Sequence, residues 1–263
     1  MNPIFRAEWL VLSQRVGARA LLAIAAVIPA LVVVVFLSLS GDGNASLQFN
    51  GKPLSEIVTL SGPNAASLSL RARNFFLMPL LLLVLAGQSM ASERTQHVLR
   101  EQLLKPVSRQ RVLWSKVAVV WGVAVASLVV NALVGLGLGS LMLGTEGEWS
   151  PVLLGHLVSV FTDLAVIVFG FFLACHLRSS VGVIAVGLLL LGLDAIVRVG
   201  LKGLGLLGVD SLEWLLAAMP GTGLNMFRMD TGDFSVGAMV CLIAWSVVFA
   251  ALAQRRVIQM DVP

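Results

Sequence analysis

The chemistry available to this sequence begins with its ionisable residues in apolar surroundings. Asp163 lies in the middle of "VLLGHLVSVFTDLAVIVFGFFLA", where a carboxylate costs about 2.5–3.5 kcal/mol on membrane-insertion scales. Two readings compensate that cost. Asp163 is a polar point in a transport pathway or at a subunit interface, or it is a carboxyl that is neutral or hydrogen-bonded to Ser159, Thr162 or another helix. Asp194 and Arg198, four apart in "LDAIVRVGLK", share one helix face, and Lys202 extends the stripe. They read as a local ion pair with Lys202 snorkelling, and Asp194 is the second candidate for a substrate pathway or interface.

Enzymatic constellations are missing. His97, His156 and His176 are dispersed, with no HExxH, clustered carboxylates or GxSxG beside them, so neither a catalytic residue nor a metal site is expected. The glycines of "NALVGLGLGSLML" lack the Lys-Ser/Thr of a phosphate loop and suit close helix packing. No GxxxxGK[ST] segment occurs, so no cofactor is expected in this chain and any ATP-driven function needs a partner. Cys175 and Cys241 sit in apolar runs without CxxC spacing and read as packing residues.

The elements that must position these residues are apolar helices. A hydrophobic fraction of 58% over 263 residues and a mean hydropathy of +0.94 predict an all-α membrane protein with a single transmembrane domain. A hydrocarbon layer takes about 20 apolar residues per helix, and six such runs occur, at 18–40, 74–91, 113–143, 151–176, 179–201 and 234–253. Dyad alternation is absent, which disfavours a β-barrel. The first run is too long for a signal peptide and is expected to remain as an anchor.

Residues 1–17 place Ile4, Phe5, Trp9, Leu12 and Val16 at helical spacing, predicting an interfacial helix. The Gly/Ser/Asn/Pro-rich stretch from 41 to 73 reads as an outer loop. Beyond the fifth run, Gly200, Gly203, Gly205 and Gly208 weaken the helix and Pro220-Gly221 marks a turn. Between them "SLEWLLAAM" is too short to span, predicting a short re-entrant or interfacial outer helix anchored by Trp214.

The basic balance, with a pI near 9.7, raises nucleic acid as a partner, but the placement of charge argues for a lipid bilayer instead. With both termini inside, inner segments hold twelve of the eighteen Lys/Arg; the outer ones hold Lys52, Arg71, Arg73, Arg198, Lys202 and Arg228 beside eight acidic residues. Lys/Arg bias in short loops then predicts cytoplasmic termini.

The same bias makes the segment from 91 to 116 cytoplasmic. "ASERTQHVLREQLLKPVSRQRVLWSK" carries six Lys/Arg and two Glu in a chain that is 12% charged. Ser92 offers an N-cap, Glu93 suits the first turn and Pro106 stops a helix over 92–105. Leu99 and Leu103 share a face, flanked by Val98 and Leu104, while Arg94, Glu101 and Lys105 lie on the polar side. Orientation and contact with anionic lipid explain the cations. They do not explain the interleaved glutamates or the capped, proline-terminated helix, which point to a protein partner.

Here the sequence resembles the permease subunits of ATP-binding-cassette transporters of the ABC-2 type. Glu93, Leu103, Leu104, Pro106, Val107, Ser108, Arg109 and Lys116 are similar to that family's pattern, and "RAEWLVLSQR", with Glu8, looks like its interfacial elbow helix. His97-Val98 stands where the family commonly has Gly-Thr. The resemblance implies a coupling region at 92–111 docked on a separate ATPase, with Glu93, Arg94, Arg100, Glu101, Pro106 and Arg109 as its contacts. It implies two copies of a cytoplasmic ATPase that bind ATP and Mg, a second permease chain as homodimer or heterodimer, an exporter, and multi-pass residence in the plasma membrane, the inner membrane of a bacterium.

Two other classes compete. One is an ATP-independent membrane anchor or assembly scaffold, distinguished by recovery of a partner without Walker motifs. The other is a secondary transporter, disfavoured because no inverted repeat is evident. Glu101→Arg is predicted to abolish stimulated ATP turnover in a reconstituted complex while membrane insertion is retained; unchanged turnover counts against the coupling assignment.

Overall fold

The protein is described by a computed structural model over residues 3–40, 48–49, 52–53, 61–95, 108–206, 218–224, 227–228 and 233–259. It is an all-α bundle. α1 (Pro3–Gln14) breaks at Arg15 and is followed by α2 (Val16–Ser40). α3 (Gly62–Ala72) continues through a π-helical segment, Arg73–Leu77, into α4 (Met78–Ala86). A second π segment, Gly87–Ser92, leads to a last turn at Glu93–Thr95. α5 (Arg109–Leu143), α6 (Ser150–His176), α7 (Ser180–Leu206), the short α8 (Pro220–Leu224) and α9 (Val236–Ile258) complete it. Two-residue antiparallel pairings, Gln48–Phe49 with Lys52–Pro53 and Phe227–Arg228 with Asp233–Phe234, lie in the connections.

Five of these helices are long and apolar enough to cross a membrane, and six if the run from Gly62 to Thr95, bent by 42°, counts as one. That run corrects the expected outer loop: it begins at Gly62, twelve residues before the apolar stretch at 74. Ser61 is extended (φ −128°, ψ 159°) and a proline stands in the first turn, a helix start that proline's fixed φ favours. "GPNAASLSLRAR" is too polar to register as a span, yet Ala65, Ala66, Ser69 and Leu70 form a buried stripe. Pro220-Gly221, expected as a turn, instead opens α8. The "SLEWLLAAM" helix with Trp214 lies outside the described residues up to Ala217.

α5 is the hub. It packs against α1, α2, α3 and α6, whereas α7 meets mainly α4, the π segment that follows it and α6, and leaves Leu189, Leu193, Ile196 and Val199 exposed. Two contacts show why α5 fits there. Gly62 and Gly139 meet backbone to backbone: a Cβ on Gly62 would fall 2.8 Å from the Gly139 carbonyl oxygen, so only glycine permits the approach. The other contact repairs α2. Pro29 has no N–H, which leaves the Ala25 carbonyl four residues earlier without its helical donor. Asn131 Nδ2, fully buried on α5, donates to that carbonyl at 3.3 Å.

A carbonyl left unpaired away from water costs about 1–3 kcal/mol, so Asn131→Leu should lower the thermal midpoint in detergent. Adding Pro29→Ala, which restores the backbone donor, should recover much of the loss. Failure of the second substitution to rescue would refute the repair.

Candidate functional site

The site is a cluster of buried charge at the end of the bundle where α1 lies. Lys116 stands in the second turn of α5 with its side chain fully buried. Its ammonium donates to Glu8 Oε1 at 2.8 Å and Oε2 at 2.9 Å, and to Glu93 Oε2 at 2.6 Å. The other Glu93 oxygen accepts from Arg15 Nη2. Two carboxylates therefore meet two cations, and both Glu93 oxygens are used.

The elements explain this convergence. α1 buries Leu12 and packs Phe5 and Trp9 against the core, which turns Glu8 toward α5. The break at Arg15 frees that side chain to reach Glu93. Gly87–Ser92 is wound as a π segment, which shifts the helical register of the turn after it. Glu93 and Lys116 stand on either side of the segment from 96 to 107, whose helical stems are thus tied together and both tied to α1.

Glu93, one of the predicted partner contacts, is 4% exposed, and both of its carboxylate oxygens are taken within its own chain, by Arg15 and Lys116. Arg94 and Arg109 are only partly buried and each binds the last carbonyls of another helix: Arg94 Nη1 donates to Cys175 O at 3.4 Å, and Arg109 Nη1 to Ile258 O at 3.0 Å. Cations suit these C-terminal ends electrostatically. Arg100, Glu101, Pro106 and the helix predicted around them lie outside the described residues.

A second cluster sits inside the bundle. Asp163 lies 13 residues into α6, roughly 20 Å along it at 1.5 Å per residue, and its compensation comes from another helix. Arg73 Nη2 donates to Asp163 Oδ2 at 2.8 Å and to Ser127 Oγ on α5 at 3.2 Å, while Nη1 reaches Asn74 Oδ1 at 2.7 Å. Asn74 Nδ2 in turn donates to Ser159 Oγ at 2.8 Å. Arg73 is therefore not part of an outer segment, where charge counting placed it; it is 2% exposed and belongs to the first π segment. Thr162 donates to the Ser159 carbonyl and not to Asp163. His156, also buried, donates through Nδ1 to the Val152 carbonyl at 2.8 Å.

The remaining candidate, Asp194, pairs with Arg198 Nε at 2.8 Å and accepts the Gly221 N–H at 3.2 Å. α8 comes so close that a Cβ on Gly221 would lie 2.6 Å from an Arg198 nitrogen. The Lys202 side chain lies outside the described residues. Among the described residues no three His, Cys, Asp or Glu gather as a metal site.

Sequence reasoning missed both clusters as clusters. Glu8, Glu93 and Lys116 were legible as single residues, but a lysine 108 positions from its partner carries no periodic signal. Arg73 had one: Ser61-Gly62-Pro63 is a helix-start signature, and extending a helix from it places Arg73 three turns inside.

Removing one partner of a buried pair costs about 3–5 kcal/mol, whereas replacing both with apolar groups is often neutral. Asp163→Leu should therefore destabilise strongly, and Arg73→Met with Asp163→Leu should restore most of the midpoint in detergent. Equal loss in the single and double variants would exclude direct coupling. Lys116→Met, which strands two carboxylates with one cation, should lower the midpoint at least as much.

These features are those of a multi-pass membrane protein whose buried charges, among the described residues, are paired with one another. No curated protein shows significant similarity to the chain. The family model described as ABC-2 family transporter protein matches residues 4–191, from α1 into α7 and across the segment between Glu93 and Lys116. The chain belongs to the ABC-2 transporter family, as the membrane permease of an ATP-binding-cassette transporter.

Proposed function

We propose that this chain is the membrane half of an exporter, with two copies of a cytoplasmic ATPase supplying ATP and Mg chemistry and a second permease chain completing the pathway. Both termini and the segment from 92 to 111 are cytoplasmic in this reading, in the plasma membrane. Arg100, Glu101 and Pro106 are the contacts to the ATPase, and Arg94 and Arg109 extend that surface from its edges. The chain itself hydrolyses nothing.

The observation that carries this is the ion cluster at the stems of the contact segment. A helix that transmits movement must not swivel on its own stems, because a ligand or partner shifts an equilibrium only through differential contact with two states. Lys116 joins the entering and leaving stems at one ammonium, and Glu8 joins them to α1. Displacement of the segment is thereby passed to α1, α5 and the bent helix together.

Co-expression with the ATPase, then purification and vesicle reconstitution, tests the reading. Stoichiometric recovery of a protein with Walker and signature motifs supports it, and recovery of only a non-ATPase partner overturns it in favour of a scaffold. The cluster and the contact surface should separate in that assay. Arg15→Ala, which loosens the stems but leaves residues 96–107 intact, should retain co-purification and lose about 5- to 20-fold of stimulated turnover, on the order of 1–2 kcal/mol of coupling. Glu101→Arg should weaken co-purification as well as abolish stimulated turnover.

A further inference from the structure

We propose that the cavity between α6, α7, α8 and α9 holds one hydrocarbon tail of a bilayer phospholipid. The cavity measures about 280 Å³, at the small end of the roughly 300–1,000 Å³ typical of ligand sites, a size for a single chain rather than a bulky cargo. Phe169 and Phe172 of α6, Leu190 of α7, and Leu242, Trp245 and Phe249 of α9 form its walls. Phe249 holds the aromatic side together, with ring centroids 5.1 Å from Phe169, 5.2 Å from Phe172 and 5.5 Å from Trp245.

The polar groups at its edge are already satisfied. Asp194 is taken by Arg198 and the Gly221 N–H. Ser246 donates to the Leu242 carbonyl at 2.7 Å, and Trp245 Nε1 to Ala218 O at 2.8 Å. Among the described lining residues no side-chain donor or acceptor requires a polar ligand, which argues against a hydrophilic occupant and against ordered water, since buried water needs two to four polar partners.

An apolar void of this size is not left empty without loss of stability, because its lining forfeits dispersion contacts. The medium at its mouth decides what enters. Leu190 lines the cavity and is still 43% exposed, and its neighbours Leu189 and Leu193 on α7 and Val247 on α9 are exposed as well. These helices are among those long and apolar enough to cross a membrane, so the mouth opens on hydrocarbon. An acyl tail is the solvent there, and it enters as water enters a polar cleft. This inference does not rest on the transport reading.

The test uses the full chain in nanodiscs of phosphatidylethanolamine and phosphatidylglycerol doped with a phospholipid bearing a diazirine in its acyl chain. After irradiation, peptide mapping should find adducts on buried Phe169 as well as on exposed Leu189 and Val247. Ala165→Phe, which fills the cavity from α6, should reduce the Phe169 adduct at least about five-fold while the Leu189 adduct is unchanged; Ser246→Leu serves the same purpose if the first variant misassembles. Adducts confined to the exposed residues, or a Phe169 adduct indifferent to filling, would overturn the proposal. So would labelling of Phe169 by a water-soluble carbene precursor in place of the lipid.

Discussion

One buried ammonium organises the end of this molecule where α1, the Glu93 turn and the start of α5 meet. Lys116 is held by Glu8 and Glu93 while Arg15 balances the second carboxylate, so the four charges sum to zero. Neutrality is a condition of burial here, because an unpaired ion removed from water costs several kcal/mol, and attraction repays this only when geometry and hydrogen bonding are both good. The cluster is weak evidence of stability and strong evidence of registry. An apolar contact among α1, the Glu93 turn and α5 would tolerate sliding by a fraction of a turn. Three donors on one nitrogen, each directed at a carboxylate oxygen, do not.

The same rule operates deeper in the bundle, where a buried polar group left without a partner is costly. Pro29 removes a donor from α2, and Asn131 of α5 supplies one. Asp163 brings a charge into α6, and Arg73 answers it from a stretch that, by composition, resembles a loop. Both solutions reach α5, through Asn131 in one and Ser127 in the other. The central helix is thus fixed by buried polar contacts at several depths, while α7 and α9 add polar contacts of their own to apolar packing. On the proposed transport reading, rigidity belongs to the group around α5, and freedom to move belongs to the helices packed least against it.

How much of this was legible in the sequence depends on the range over which each signal acts. Composition and run length announce apolar helices because each hydrophobic residue adds to the same local sum, and α2, α5, α6, α7 and α9 all carry that signal. α3 does not, since Ser, Asn and Arg dilute its hydropathy, and only the Ser61-Gly62-Pro63 start and the Ala65–Ala66–Ser69–Leu70 stripe betray it. Misplacing α3 put Arg73 outside and left Asp163 without its partner. Glu93 shows the same limit. Its type and position near a basic segment suggested a contact with another protein, and nothing local could say that a lysine 23 residues on and an arginine from the break after the first helix would take both of its oxygens. The register shift of a π segment has no reliable sequence signature, and here it decides which way Glu93 faces.

The pairing of Glu93 and Lys116 bears on the segment between them. Read from sequence, that segment is a capped, proline-terminated amphipathic helix with Leu99 and Leu103 on one face and its charges on the other. In the folded chain Glu93 and Lys116 join its stems, and Arg94 and Arg109 at its edges bind the C-terminal carbonyls of α6 and α9. On the proposed reading, a partner that pulls on this segment acts at once on α1, α5 and the bent helix through the ion cluster, and on α6 and α9 through the two arginines, because the charges at the stems are neutralised within the chain and hold those helices to one another.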